Sequence, residues 1–251
     1  MRNLVIDIGN TRLKWGIFQN ELLVDSGTTT HGYDDFVMSL IKNNNIEHII
    51  ISSVSHSFSE DVLNTIKATN NTCIVLDEMT PLPIVNAYKT PKTLGKDRLA
   101  AIVGAFTLYP DNACLVVDAG TCIKYDYINN EKHYLGGNIT PGIEMRLKAM
   151  HEFTARLPLI PISSSTTPLG YDTHSAITNG GVLGAVCECV GFIGMLRKEI
   201  SSSFQLILTG GDAKWMINEL KNFYPELDHQ PTLTLIGLNK ILIHNVISQK
   251  D

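Results

Sequence analysis

Val5–Phe18 reads VIDIGNTRLKWGIF, and Val116–Ile128 reads VVDAGTCIKYDYI. Each stretch has an apolar run, an aspartate (Asp7, Asp118), a glycine (Gly9, Gly120) and a threonine (Thr11, Thr121). A lysine follows three residues after the threonine (Lys14, Lys124), and then come more strand-forming residues. An apolar run that stops at a glycine turn and resumes as β-formers predicts a β-hairpin. Writing that hairpin twice predicts two α/β lobes of like construction. The second lobe begins just before the second phrase, so the expected domains are 1–113 and 114–251.

Working outward, residues 3–8 and 12–18 form the first strand pair, with a tight turn at Gly9–Asn10. The first strand is apolar throughout, as a central strand is. LLVDSGTTT reads as a third strand and GYDDFVMSLIKNN as an amphipathic helix with Phe36, Leu40 and Ile41 on one face. A strand through IEHIIISSV, a helix through SEDVLNTIKATN with Ser59 as N-cap, and a strand through TCIVLDE complete the pattern. Pro81, Pro83 and Pro91 mark an irregular stretch that becomes a helix near Asp97. The second half has its own strand pair, a strand near HYLGGNI and a helix through GIEMRLKAMHEFTARL. A long apolar helix over Ala176–Leu196, the strand FQLILTGG and two further helices follow.

The bulk numbers exclude several classes. Of 251 residues, 44% are hydrophobic and 18% charged, which suits a soluble globular chain. The net charge is −5 and no Lys/Arg run is long enough to track phosphates, so no nucleic-acid partner is expected. The first apolar run ends at Asp7, too early for a signal peptide. Ala176–Leu196 carries Asn179 and Glu188 and reads as a buried helix, not a membrane span. Five cysteines without a Cys-x-x-Cys, and histidines at no metal-binding spacing, predict free thiols in a reducing cytoplasm.

The repeated phrase has the chemistry of a phosphate site. A glycine turn lets backbone N–H groups approach an anion closely. Asn10, Thr11 and Thr121 add side-chain donors, and Lys14 adds a cation. A carboxylate such as Asp7 beside such a cradle can hold a divalent metal that bridges to phosphate oxygens. No G-x-x-x-x-G-K-[ST] loop and no G-x-G-x-x-G after a strand occurs. A single copy reads more readily as an ordinary turn; the second copy, with its threonine in register, argues against that.

A second constellation is YKTPKTLGKDR, Tyr88 to Arg98. Asp97 there can take a proton from a hydroxyl, and Arg98 can clamp an anionic group. A helix N-cap with a neighbouring surface ion pair is the other reading, and spacing alone favours it. GGNITPG, Gly136–Gly142, reads either as a loop that closes over a ligand or as a tight helix entry. Thr173 in GYDTHSAI reads as a helix N-cap or a ligand contact, and Thr209–Gly211 as a turn against which a ligand can lie.

In order along residues 4 to about 240, DIGNTRLK, Y…P…LGKDR, DAGT, GGNITPG, TARLP, GYDTHSAI and LTGGDA together resemble the type III pantothenate kinases. The resemblance implies two ribonuclease-H-like α/β domains around a central cleft, as in the actin and acetate-and-sugar-kinase superfamily. It implies that ATP phosphorylates pantothenate to 4'-phosphopantothenate, the first step of coenzyme A synthesis, in a cytoplasmic homodimer. Asp7, Ile8, Gly9, Asn10, Thr11, Arg12, Leu13 and Lys14 then form the first phosphate loop, with Asp7 near Mg²⁺, and Thr121 touches ATP. Asp97 is the implied general base. Tyr88, Gly95, Lys96, Asp97, Arg98 and Thr173 contact pantothenate. Asp118 is the implied ligand of a monovalent cation, K⁺ or NH₄⁺. The helix around Gly180, Gly181 and Gly184 would allow close packing between subunits.

After DAGT the family commonly carries Ala-Thr-Thr, whereas this chain has Cys122, Ile123 and Lys124. Lys124 either replaces part of the cation's charge or points to solvent. A nucleotide-binding relative without kinase activity and a kinase acting on a sugar or acetate are the alternatives. Retention of Asp7, Asp97 and Asp118 argues against the first, and LGKDR with TARLP against the second.

Overall fold

The computed structural model describes residues 1–54, 58–70, 72–164, 167–200 and 203–248. The chain divides into two compact units. The first comprises Met1–Asp111, Asn130–Leu135 and Thr232–Asp251; the second comprises Asn112–Asn129 and Gly136–Pro231. The switch at Asp111–Asn112 falls close to the expected boundary at 113, but no single cut describes the rest.

The first unit opens with three strands, β1 (Arg2–Ile8), β2 (Leu13–Gln19) and β3 (Leu22–Thr29). Helix α1 (Tyr33–Asn44), strand β4 (His48–Ser53), helix α2 (Glu60–Thr69) and strand β5 (Thr72–Val75) follow. The sheet order is β3-β2-β1-β4-β5. β1 is antiparallel to β2 and parallel to β4. As the central strand it is buried on both faces, with Leu4, Val5 and Ile6 inaccessible to solvent. Leu4, Ile6 and Ile8 join Ile17, Val37, Ile49, Ile51 and Ile66 in one core. The period-two alternation therefore turns Asp7 to the opposite face. Ser59 does occupy the α2 N-cap, yet its hydroxyl donates to Asp34 Oδ2 at 2.7 Å instead of capping the helix.

A short strand β6 (Val85–Asn86) precedes α3 (Lys96–Leu108). The final helix of the chain, α7 (Leu233–Ser248), packs on α3 and β1 within this unit. Two glycines permit the approach: a Cβ on Gly104 would lie 2.2 Å from the Leu233 carbonyl oxygen, and one on Gly237 would lie 1.8 Å from that of Ala100. The expected assignment of residues 232–251 to the second lobe thus meets a tertiary contact that local pattern does not encode.

The second unit repeats the plan. Its strands are β7 (Cys114–Ala119), β8 (Cys122–Ile128), β9 (His133–Pro141), β10 (Gln205–Thr209) and β11 (Asp228–His229). Helices α4 (Ile143–Glu152) and α5 (Thr173–Glu199) precede β10, and α6 (Ala213–Phe223) precedes β11. The sheet order is β11-β10-β7-β8-β9-β6, and β6 pairs in parallel with His133 and Tyr134, the part of β9 that belongs to the first unit. β7 is antiparallel to β8 and parallel to β10, so the first strand of each hairpin is again central. Leu115, Val117, Ala119, Ile123 and Tyr125 pack beneath α4, α5 and α6. β9 is the strand expected near HYLGGNI and runs on through GGNITP, and Gly142 is the N-cap of α4, so the stretch is a strand and a tight helix entry, and the alternative of a closing loop falls away.

α5 is long and apolar enough to cross a membrane, and 44% of its most apolar window is buried inside the protein. Ile177, Val182, Ala185, Val186, Cys189 and Ile193 belong to the core. These six residues of α5 give their apolar surface to packing within the second unit. Gly181 lets Leu147 of α4 close in, since a Cβ there would stand 2.6 Å from Leu147 Cδ2.

Candidate active site

In the first unit the hairpin turn spans Gly9–Arg12, longer than the expected two residues, because Ile8 pairs with Leu13. The Gly9 N–H donates to the Arg12 carbonyl at 3.1 Å. Asn10, Thr11 and Arg12 are exposed at the tip, while Ile8 and Leu13 anchor the turn in the core. Asp7 and Lys14 are cross-strand partners, so both side chains leave the same face of the sheet. Asp7 is 5% exposed, and Ser52 Oγ on β4 donates to its Oδ1 at 3.1 Å. Ser52 was not marked from sequence; its sign is a serine ending the apolar run IIISS. A buried, oriented carboxylate of this kind suits a hard cation that takes most of its other ligands from phosphate and water. Among the described residues no group of three His, Cys, Asp or Glu side chains is placed to hold a metal.

The second cluster of this unit gathers at the start of α3. Gly95 is the N-cap, and Asp97 lies in the first turn with Oδ1 accepting from the Arg98 N–H at 2.9 Å. A Cβ on Gly95 would sit 2.6 Å from Asp97 Oδ1, so the carboxylate folds back over the cap. Lys96 begins the helix beside it. Arg98 is 4% exposed, which removes the reading of Asp97–Arg98 as a surface ion pair. Its guanidinium lies 5.4 Å from the Tyr88 ring centroid, within cation–π range. Tyr88 in turn stacks on buried Tyr134, with centroids 5.9 Å apart and an interplanar angle of 23°. The structure thus brings Tyr88, Gly95, Lys96, Asp97 and Arg98 together and adds Tyr134. Sequence could not supply Tyr134, which reaches the cluster by the β6–β9 pairing.

In the second unit the matching turn is one residue shorter, Gly120–Cys122, because Ala119 pairs with Ile123. The Gly120 N–H donates to the Cys122 carbonyl at 3.1 Å, and Thr121 is exposed at the tip. Two further glycine segments close on it. The Gly142 N–H donates to the Thr121 carbonyl at 3.1 Å, and a Cβ on Gly142 would lie 2.2 Å from the Gly120 carbonyl oxygen. Gly210, at φ 98°, packs so that a Cβ would stand 2.6 Å from Asp118 Oδ1. Asp118 and Lys124 are cross-strand partners, and Lys124 Nζ lies 2.7 Å from Asp118 Oδ2. Their side chains are only 13% and 15% exposed, so Lys124 does not point to solvent.

Thr173 is the first residue of α5 and is exposed. The N-cap is Asp172, which forms a capping box with Ser175. The hydrogen bond from the Ser175 backbone N–H, at 2.7 Å, leads the causes that hold the Asp172 carboxyl below its ordinary value. Thr173 is thus not the capping residue, which removes the N-cap reading of it. Deeper in the unit, Glu188 of α5 accepts from Thr140 Oγ1 (2.6 Å) and Tyr125 OH (3.1 Å) and pairs with Arg146 Nη2 (2.8 Å). Partial burial alone would push this carboxyl up. The hydrogen bonds and the Arg146 charge outweigh it and bring Glu188 below its ordinary value.

The sequence matches the type III pantothenate kinase family over residues 3–194. A type III pantothenate kinase of Bacteroides fragilis is 37% identical over 243 residues, covering 97% of this chain and 98% of its own. One of Christiangramia forsetii is 39% identical over 248 residues, with coverage of 97% and 98%. Among solved structures, a ROK family protein from Streptococcus pneumoniae in complex with sucrose superposes with a TM-score of 0.55 at 10% identity, covering 99% of this chain and 100% of that one. The last is a likeness of fold alone, and it agrees with two α/β units of the ribonuclease-H-like, sugar-kinase type. With more than half its length matched and near-complete relatives of this kind, the chain belongs to the type III pantothenate kinase family.

Proposed function

We propose that the protein transfers the γ-phosphoryl group of ATP to the terminal hydroxyl of pantothenate, giving 4'-phosphopantothenate for coenzyme A synthesis. Besides family membership, one observation supports this reading most strongly: Asp97 meets buried Arg98 and Tyr88 at the first turn of α3. Arg98 and Lys96 supply positive charge for the pantothenate carboxylate, and Tyr88 packs against its chain; Thr173, at the start of α5 in the second unit, is a further pantothenate contact that the family resemblance implies. Asp97 orients the acceptor hydroxyl. A primary alcohol is far too weak an acid to be ionised by a carboxylate in advance, so Asp97 accepts the proton late, as phosphorus–oxygen bonding develops.

Toward the phosphate groups of ATP the first unit offers its turn, Gly9–Lys14, with Asn10, Thr11 and Arg12 exposed at the tip, and the second unit offers Thr121, exposed at the tip of its own turn. Among the described residues Lys14 makes no ion pair, so its ammonium is uncommitted before nucleotide binds. Mg²⁺ carried with ATP would neutralise phosphate charge, and Asp7, oriented by Ser52, is the carboxylate that would hold it. A cytoplasmic homodimer completes the reading. Gly181 is used up against Leu147, whereas a Cβ on Gly184 would meet nothing within 4 Å, leaving Gly184 open to a second subunit.

The test is ADP formation dependent on pantothenate, measured for the wild type and Asp97→Asn. Loss of the base should cut kcat by about 10²- to 10⁴-fold with little change in the KM for ATP. A wild-type enzyme that makes no pantothenate-dependent ADP would sink the kinase reading; Asp97→Asn at full rate would sink only the base assignment.

A further inference from the structure

The family resemblance implies a K⁺ or NH₄⁺ ion at Asp118, and the residues here do not fit one. Asp118 Oδ2 holds the Lys124 ammonium at 2.7 Å, and Oδ1 lies against the Gly210 backbone. A second cation on the same carboxylate would stand beside a fixed like charge in a site that is little exposed. The arrangement is also local and over-determined. Asp118 and Lys124 are directly opposed on β7 and β8, so the hairpin register itself sets the pair. Ile123 and Tyr125 on either side of Lys124 are buried in the core on the other face, which prevents the strand from turning Lys124 away.

The first hairpin sharpens the contrast. It has the same cross-strand geometry at Asp7 and Lys14, yet Lys14 makes no ion pair among the described residues. The two copies have therefore diverged: one lysine is free to meet an anion, and the other is spent on its own aspartate. We propose that the Lys124 ammonium is a tethered monovalent cation, which supplies beside the second phosphate-binding turn the single positive charge that a bound K⁺ or NH₄⁺ would otherwise bring. The inference rests on the kinase reading and adds to it that catalysis by this enzyme needs no monovalent metal ion.

Initial rates with Mg²⁺, ATP and pantothenate are compared in K⁺, NH₄⁺, Na⁺ and tetramethylammonium at one ionic strength of about 0.1 M. Melting temperatures are taken in the same salts with a non-hydrolysable ATP analogue. The wild type should keep its rate within about twofold across the salts, because a preorganised charge is already present. Lys124→Met, which keeps the stem and core packing, should lose about 10- to 100-fold in kcat and regain part of it in NH₄⁺ or K⁺ but not in tetramethylammonium. Its melting temperature should gain a K⁺ dependence that the wild type lacks. Activation of the wild type by K⁺ of about tenfold or more, or a K⁺-dependent wild-type melting temperature, would overturn the proposal. So would a folded Lys124→Met enzyme with unchanged rate. If no salt yields pantothenate-dependent ADP, the kinase reading fails, and the melting temperatures still decide whether Lys124 excludes the cation.

Discussion

Replacing Gly237 by alanine tests how α7 positions the catalytic end of α3. In an exposed helix interior, Gly→Ala gains up to about 1 kcal/mol from propensity. Here the new methyl carbon would lie 1.8 Å from the Ala100 carbonyl oxygen and 2.6 Å from the Gly104 nitrogen. A close carbon–oxygen contact needs about 3.3 Å, so the helices must part by about 1.5 Å. Overpacking of this kind costs about 1–3 kcal/mol or more, and the backbone on both sides leaves no soft side chain to yield. The net expectation is a loss of about 2 kcal/mol, which lowers the melting temperature of a chain this long by about 4–8 °C. Asp97 and Arg98 ride on α3, and a displacement of about 1 Å at a reacting group can cost 10²-fold in rate. Gly237→Ala should therefore also lose pantothenate kinase activity well below its melting point. Scanning calorimetry with steady-state kinetics reads both effects. Gly191→Ala on α5 is the control, since a Cβ there meets nothing within 4 Å; it should gain about 0.5–1 kcal/mol. A Gly237→Ala protein that melts at or above the wild type would refute the packing argument.

Two further outcomes follow from the second unit. Gly210→Ala combines a positive φ of 98° with a Cβ 2.1 Å from the Ala119 carbonyl oxygen and 2.6 Å from Asp118 Oδ1, so it should lower kcat/KM for ATP by about tenfold or more, measured at saturating pantothenate. Glu188 has its carboxyl held below the ordinary value, so its contribution to stability is present above the unfolded-state pKa, about 4.3, and is lost as pH falls through the lower folded value. Glu188→Gln should accordingly melt lower than wild type at pH 7 and lose less on acidification from about pH 5 to 3; equal acid slopes in the two proteins would contradict this.

The doubled phrase carried most of the architecture. An apolar run, a glycine turn and a second run can satisfy their backbone only as a hairpin, and two of them head two sheets of the same order. Asp7, Asp97, Arg98 and Asp118 stand out in the sequence because each lies beside a turn or at a helix start, and the structure puts each of them there. What escaped reading was set by pairing between distant segments. Ser52 meets Asp7 only through the β1–β4 register, and Tyr134 meets Tyr88 only through β6 and β9. Lys124 could not be assigned a side from composition; the β7–β8 register decided it. GGNITPG left a closing loop and a tight helix entry open for its glycines; Gly137 proves to be demanded by close approach within a sheet, where a Cβ would fall 1.6 Å from the Tyr125 carbonyl oxygen.

The return of α7 to the first unit has a consequence for synthesis of the chain. Domains usually fold from the N-terminus as they emerge. Here residues 232–248 follow the whole of the second unit in sequence, so α3 must wait for its partner with the Ala100–Gly104 surface uncovered. The second unit has every one of its strands before the first unit has its last helix. The second unit can therefore mature first, and the helix that bears Asp97 is locked only once residues 232–248 have left the ribosome.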